Sequence, residues 1–286
     1  MTSPRTRVLA WEGLTTRATV AGEGPLVLLL HGFPDQRQTW DHQVPALVAA
    51  GFRVVAPDLR GYAPGSVPPD GDCSLSRLAR DVLAWMDLLG AERAHVAGHD
   101  WGAAIAWALA ALAPHRVERV CALAVPPLSN LPRMVRRHPT ALLPLWYMAL
   151  FQVPGLAERA LLARDGALVR LLWRRWSPGF SAPEPRLRSI IDALSQPGVA
   201  GAVLSYYRAL ASPRSAPDWR LLRAPVAVPA LAIAGARDGC LDPALLETAA
   251  ASQPSVRAAV IPDAGHFLHL EQPEALHALL IPWLRG

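Results

Sequence analysis

Lysine is absent from this 286-residue chain: its 28 basic residues other than histidine are all arginine, set against 23 acidic ones for a net charge of +5. The excess is scattered, with small knots only at Arg133, Arg136 and Arg137 and at Arg174 and Arg175. Such a pattern reads as solvated helix faces and lacks the continuous basic stripe of a nucleic-acid binder. Cysteine is scarce as well. Cys73, Cys121 and Cys240 are odd in number and have no ligand-like spacing, which excludes a disulfide framework and a zinc site. The longest apolar stretches, Gly102–Pro114 and Ala141–Phe151, fall short of the roughly 18 to 20 residues that span a bilayer. Met1–Gly13 has no apolar core of a secretion signal. These absences lead to the expectation of a cytoplasmic globular protein that needs neither metal nor cofactor and inserts stably into no membrane. A homodimer is left open.

What is present centres on Ala94–Ala104, where Gly98-His99-Asp100-Trp101-Gly102 joins a short apolar run to an alanine-rich helical pattern. Small-x-nucleophile-x-small at a strand-to-helix junction is the pattern of a sharp elbow that pushes one side chain into the open. The bland alternative makes Asp100 a helix cap between two strand-ending glycines. As a nucleophile, aspartate selects the chemistry. Attack on an acyl group would yield a reactive anhydride, whereas attack on saturated carbon yields an ordinary ester that water can cleave later.

Along the chain, apolar runs at Leu26–Leu30, Arg53–Ala56, Ala94–Ala97, Val117–Val125, Val228–Ala234 and Val256–Ile261 alternate with helical patterns. That alternation predicts an α/β fold, a mostly parallel sheet with helices on both faces. Two short strands precede it, around Arg7–Ala10 and Thr15–Ala21, and Ser74 is the expected cap of a helix running to Leu89. From Leu128 to Asp218 the pattern is helical and strand-free. The expected organisation is a first core segment at 1–127, a helical cap at 128–218 inserted before the last strands, and a second core segment at 219–286.

An aspartate nucleophile needs a base for the second-step water and an acid to orient that base. His266 follows the last strand in a loop, and Asp238 lies at the tip of the loop after the preceding strand, whereas Asp242 before Pro243 reads as a helix cap. The backbone N–H groups of Phe33 and Trp101 are the candidate oxyanion hole. His31 reads as a hydrogen-bonded loop-former. Opening an unactivated three-membered ether would produce a strongly basic alkoxide, so a proton donor should face Asp100. Three of the four tyrosines, Tyr147, Tyr206 and Tyr207, lie in the helical block. Adjacent helical residues diverge by about 100°, so Tyr206 and Tyr207 cannot both face the pocket fully; Tyr207 shares a side with Val203 and Leu210.

His31-Gly32-Phe33-Pro34, Pro57-Asp58-Leu59-Arg60-Gly61-Tyr62, Gly98-His99-Asp100-Trp101-Gly102 and Gly265-His266-Phe267 stand in an order that resembles the α/β-hydrolase-fold epoxide hydrolases from end to end. Trp146–Gly155 and Ser205-Tyr206-Tyr207-Arg208 are similar to that family's two tyrosine-bearing lid segments. The resemblance implies attack by Asp100, water activation by Asp238 and His266, and an epoxide oxygen held by Tyr147 and Tyr207. The product would be a vicinal diol, and the partners only water and a small apolar epoxide. An apolar lining is expected from Trp101, Phe33, Trp146, Phe151 and Tyr206. Two alternatives remain: a haloalkane or haloacid dehalogenase, against which Phe33 and the residues after Asp100 argue, and a non-catalytic ligand-binding member of the fold.

Overall fold

The computed structural model describes residues 4–286; Met1–Ser3, part of the expected first core segment, lie outside the described residues. The strands are β1 (Arg5–Trp11), β2 (Leu14–Ala21), β3 (Leu26–Leu30), β4 (Arg53–Pro57), β5 (Ala94–His99), β6 (Val117–Leu123), β7 (Ala230–Gly235) and β8 (Val256–Ile261). They form one sheet in the order β1-β2-β4-β3-β5-β6-β7-β8. β1 and β2 pair antiparallel, as do β2 and β4; every later pair is parallel. The aliphatic run of β3 is buried at all five positions, as a parallel strand covered on both faces requires.

On the core side the helices are α1 (Gln43–Ala49), α2 (Leu75–Leu88) and α3 (Trp101–Leu112). α3 is buried along most of its length, and its many alanines let it lie close to β3, β5 and β6. Between β6 and β7 every regular element is a helix: α4 (Leu131–Arg137), α5 (Trp146–Phe151), α6 (Leu156–Trp176), α7 (Glu184–Leu194), α8 (Val199–Ala211) and α9 (Ala216–Arg223), joined by loops and short helical turns. α6 bends sharply at Ala163–Gly166, where Arg164, Asp165 and Gly166 take positive φ. α10 (Ala244–Ala250), α11 (Leu268–Glu271) and α12 (Pro273–Arg285) complete the fold.

Two local expectations change in three dimensions. The residue 218 boundary falls inside α9, which packs on α2 and α3 of the core. Ser74 makes no capping hydrogen bond at α2. Its place is taken by the buried carboxylate of Asp218, which accepts from Leu75 N at 3.0 Å and Ser76 N at 2.9 Å. A carboxylate against the exposed N–H groups of a helix start satisfies both the hydrogen bonds and the helix dipole.

Candidate active site

β5 runs through Gly98 to His99 and the chain then reverses at Asp100, whose φ of 53° and ψ of −116° are strained for a residue with a side chain. The turn closes only because its neighbours are small. A Cβ on Gly98 would strike the Gly102 backbone, one on Gly102 the Leu30 carbonyl, and one on Gly32 the Asp100 side chain itself. Asp100 sits at the carboxyl end of β5, next to the loop that leaves β3.

That loop holds one oxygen of the Asp100 carboxylate. Phe33 N donates to Asp100 Oδ1 at 2.7 Å. Trp101 opens α3, so its N–H has no acceptor within the helix. Asp100 Oδ2 lies 3.7 Å from His266 Nε2, and His266 Nδ1 donates to Asp238 Oδ2 at 2.9 Å. The other oxygen of Asp238 accepts from Cys240 N at 2.7 Å and Leu241 N at 3.0 Å. Asp242 bonds Ala244 N at 2.9 Å, the cap its position before Pro243 indicated.

Burial alone would push the His266 pKa down, but the Asp238 charge and the Asp100 contact outweigh it and raise the value to about 10. Burial likewise favours protonation of Asp100, and the His266 imidazolium reverses the effect, leaving its pKa lowered. At neutral pH Asp100 therefore rests as a carboxylate beside a His266 imidazolium.

Residues outside the sequence motifs hold this line in place. The Trp176 carbonyl, at the end of α6, accepts from both Gly239 N and His266 N at 3.0 Å, tying the Asp238 loop to the His266 loop. Ser177 Oγ donates to Glu271 Oε1 at 2.6 Å and accepts from Phe267 N at 3.0 Å, while Glu271 Oε2 accepts from Gly265 N at 2.8 Å. His99 Nε2 donates to the His266 carbonyl at 2.9 Å, and burial lowers its pKa to about 3, so it stays neutral. No sequence signal joins Trp176 and Ser177 to loops some 60 to 90 positions later. His31 links Gly32 O and Leu59 N through its two ring nitrogens at 3.0 Å, a loop-former as read from sequence.

Asp100, Trp101, Tyr147 and Tyr207 open onto one cavity of about 280 Å³. Leu128, Leu131, Met134, Trp219 and Leu241 also line it, and Asp100 is its only charged residue. A larger hollow of about 660 Å³ beside Arg5, Arg7 and Arg53 brings together no nucleophile and base among the described residues. Tyr147 Oη lies 3.6 Å from Cys240 Sγ, and Tyr207 Oη is buried with no hydrogen-bond partner. Burial, reinforced by nearby charge including Asp100, raises both phenol pKa values well above the ordinary range.

Four expected lining residues lie elsewhere. Tyr206 faces the opposite way from Tyr207, its hydroxyl donating to Arg60 O at 2.6 Å. Arg60 is itself buried in a two-pronged ion pair with Asp81, 2.6 Å at each contact, which accounts for the conspicuous Asp-Leu-Arg-Gly-Tyr loop. Trp146 is 42% exposed on the outer surface. Phe33 and Phe151 pack edge to face behind the tyrosines, 5.4 Å apart and 5.5 and 5.0 Å from Tyr207, and stiffen them without reaching the cavity. For Trp146 and Tyr206, the side of the helix on which each falls decided the matter.

The alpha/beta hydrolase fold family matches residues 25–273. Epoxide hydrolase A of Mycobacterium tuberculosis is 32% identical over 325 aligned positions covering 100% of this chain and 99% of that protein. This chain belongs to the α/β-hydrolase-fold epoxide hydrolases. The AB hydrolase superfamily protein YfhM of Bacillus subtilis is also 32% identical, over 96% of each chain. Among solved structures, that of epoxide hydrolase A from Mycobacterium thermoresistibile superposes with a TM-score of 0.82 at 32% identity, covering 99% of each chain. This member of the family is a hydrolase, and its eight-stranded sheet and helices are those of the fold.

Proposed function

We propose that the chain opens apolar epoxides to vicinal diols through an alkyl ester on Asp100. The observation that carries this reading is one apolar cavity onto which Asp100 opens opposite two buried phenols kept in their protonated form, with His266 and Asp238 lined up behind Asp100.

In the first step Asp100 Oδ2 attacks a ring carbon, the carbon–oxygen bond breaks, and its electron pair passes to the ring oxygen. Tyr147 and Tyr207 donate hydrogen bonds to that oxygen as it becomes an alkoxide. Esterification removes the Asp100 charge that helps hold a proton on His266, so the imidazolium yields the proton the alkoxide requires. In the second step neutral His266 takes a proton from water, whose oxygen attacks Cγ of the ester. Negative charge collects on Oδ1, within reach of the Phe33 and Trp101 N–H groups. The tetrahedral centre then expels the diol oxygen, which takes its proton from His266. The reformed Asp100 carboxyl returns a proton to the imidazole, restoring the starting state. Asp238 keeps the imidazole in the correct tautomer.

The helical insertion acts as a lid that supplies the tyrosines and excludes bulk water, with a boundary placed before α9, whose packing belongs to the core. The two phenols favour an epoxide over a halide, since a departing halide needs no proton. The test is a single turnover in heavy-oxygen water: label should enter Asp100, and the diol should carry the enzyme's own oxygen. Label in the diol with unlabelled Asp100 would mean direct attack by water. Diol formation from styrene oxide, set beside halide release from a bromoalkane, separates the two substrate classes.

A further inference from the structure

Five of the eight large apolar side chains conspicuously exposed among the described residues fall in one short piece of the helical insertion: Leu142, Leu143, Trp146, Val153 and Leu156. Leu143 is 71% exposed and Leu156 53%. A tight helical turn at Leu143–Leu145 leads directly into α5, which sets Leu142 and Leu143 four and three residues before Trp146, while Val153 and Leu156 follow just past the end of α5. A cluster of this kind, rimmed by polar groups, marks an interaction surface, whereas isolated exposed apolar residues do not.

Charge identifies the occupant. Arg133, Arg136 and Arg137 share one side of α4 at three- and four-residue spacing, all exposed, and among the described residues no hydrogen bond or ion pair engages them. No acidic residue occurs between Glu118 and Glu158. α10 packs against α4 and carries Glu247, which forms no ion pair with these arginines. A second copy docked face to face would set three unpaired cations against three more. An anionic surface with an apolar layer beneath it complements both parts of the patch.

The patch also adjoins the cavity. α4 turns Leu131, Met134 and Val135 into the cavity and its arginines outward; Leu142 both lines the cavity and is exposed.

We propose that this face of the insertion docks on an anionic phospholipid bilayer, with Leu143 and Trp146 entering the acyl boundary and Arg133, Arg136 and Arg137 at the phosphates, so that lipid-dissolved substrate enters the cavity past Leu142. The substrate route rests on the epoxide-hydrolase reading; the docking does not.

The experiment is vesicle flotation of the full-length chain, using equimolar phosphatidylglycerol and phosphatidylcholine or phosphatidylcholine alone, at low and high ionic strength. The chain should float with anionic vesicles at low salt and separate from them at high salt. Arg136→Gln with Arg137→Gln should lower partitioning about 30-fold, and Leu143→Ser about tenfold. Both variants should melt as the wild type does. No flotation with anionic vesicles, equal flotation with neutral ones, or unchanged flotation of the variants overturns the proposal. So does a concentration-dependent dimer dispersed by Leu143→Ser, which would make the patch a contact between copies. A chain that floats as expected yet turns over no epoxide leaves the docking standing and removes only the proposed chemistry.

Discussion

Phe33 and Asp100 are joined before any substrate arrives: the Phe33 N–H donates to Asp100 Oδ1 at 2.7 Å, which leaves Oδ2 as the oxygen facing His266 Nε2 at 3.7 Å. The two oxygens of one carboxylate are thereby given different surroundings. In the proposed mechanism, one rests where negative charge would gather during ester hydrolysis, and the other is the one to become alkylated. A donor already in position costs little reorganisation at the moment of reaction.

Replacing the base should separate the two steps. His266→Gln leaves Asp100 able to attack but removes the group that activates water, so the ester should accumulate. Intact-protein mass spectrometry after mixing with styrene oxide should find the enzyme heavier by one substrate, with the added mass on the peptide containing Asp100. Unmodified variant protein after exposure would remove His266 from the second step.

The tyrosines should matter in proportion to the basicity of the leaving group. Tyr147→Phe and Tyr207→Phe should each slow epoxide opening by about 10- to 100-fold, measured as the rate of ester formation in rapid mixing. The reaction of a bromoalkane, if any is detectable, should change little. Equal losses on the two substrates would assign both phenols to packing.

Stability should carry the signature of the His266 charge pair. Its folded pKa, about 10, exceeds the ordinary value of 6.5, so the folded chain holds a proton that the unfolded chain releases between those limits. The contribution is fully present below pH 6.5 and is lost as pH rises through about 10. Thermal melting should fall across this window in the wild type and fall less in His266→Gln. Parallel curves would mean that His266 is neutral at rest.

At the start of α2 the distant carboxylate should outweigh the local hydroxyl. Asp218→Ala strands two N–H groups beside a helix start and should cost about 2 kcal/mol. Ser74→Ala should cost less than about 0.5 kcal/mol. Urea unfolding of the two variants tests the ranking, and the reverse order would return the cap to Ser74.

Much of the site was legible because it depends on local backbone geometry. The spacing of Gly98 and Gly102 announced a turn at Asp100, and the loops after β7 and β8 pointed to Asp238 and His266. What escaped was direction and distance. Tyr206 and Tyr207 are neighbours in sequence, yet one bonds Arg60 O and the other faces the cavity. Trp176 makes the tie between Gly239 and His266 with its carbonyl, a group every residue possesses, so no side-chain pattern could identify it.

Periodicity, small residues at fixed intervals and the aspartate between them by themselves determined a parallel α/β core, a strained elbow and a helical interruption, since each follows from steric limits acting over a few residues. Tertiary structure alone decided which side of each short helix meets the cavity, which carboxylate caps α2 and how His266 comes to hold a proton. Those outcomes depend on burial and on charges brought together from distant positions, and neither quantity exists until the chain has closed on itself.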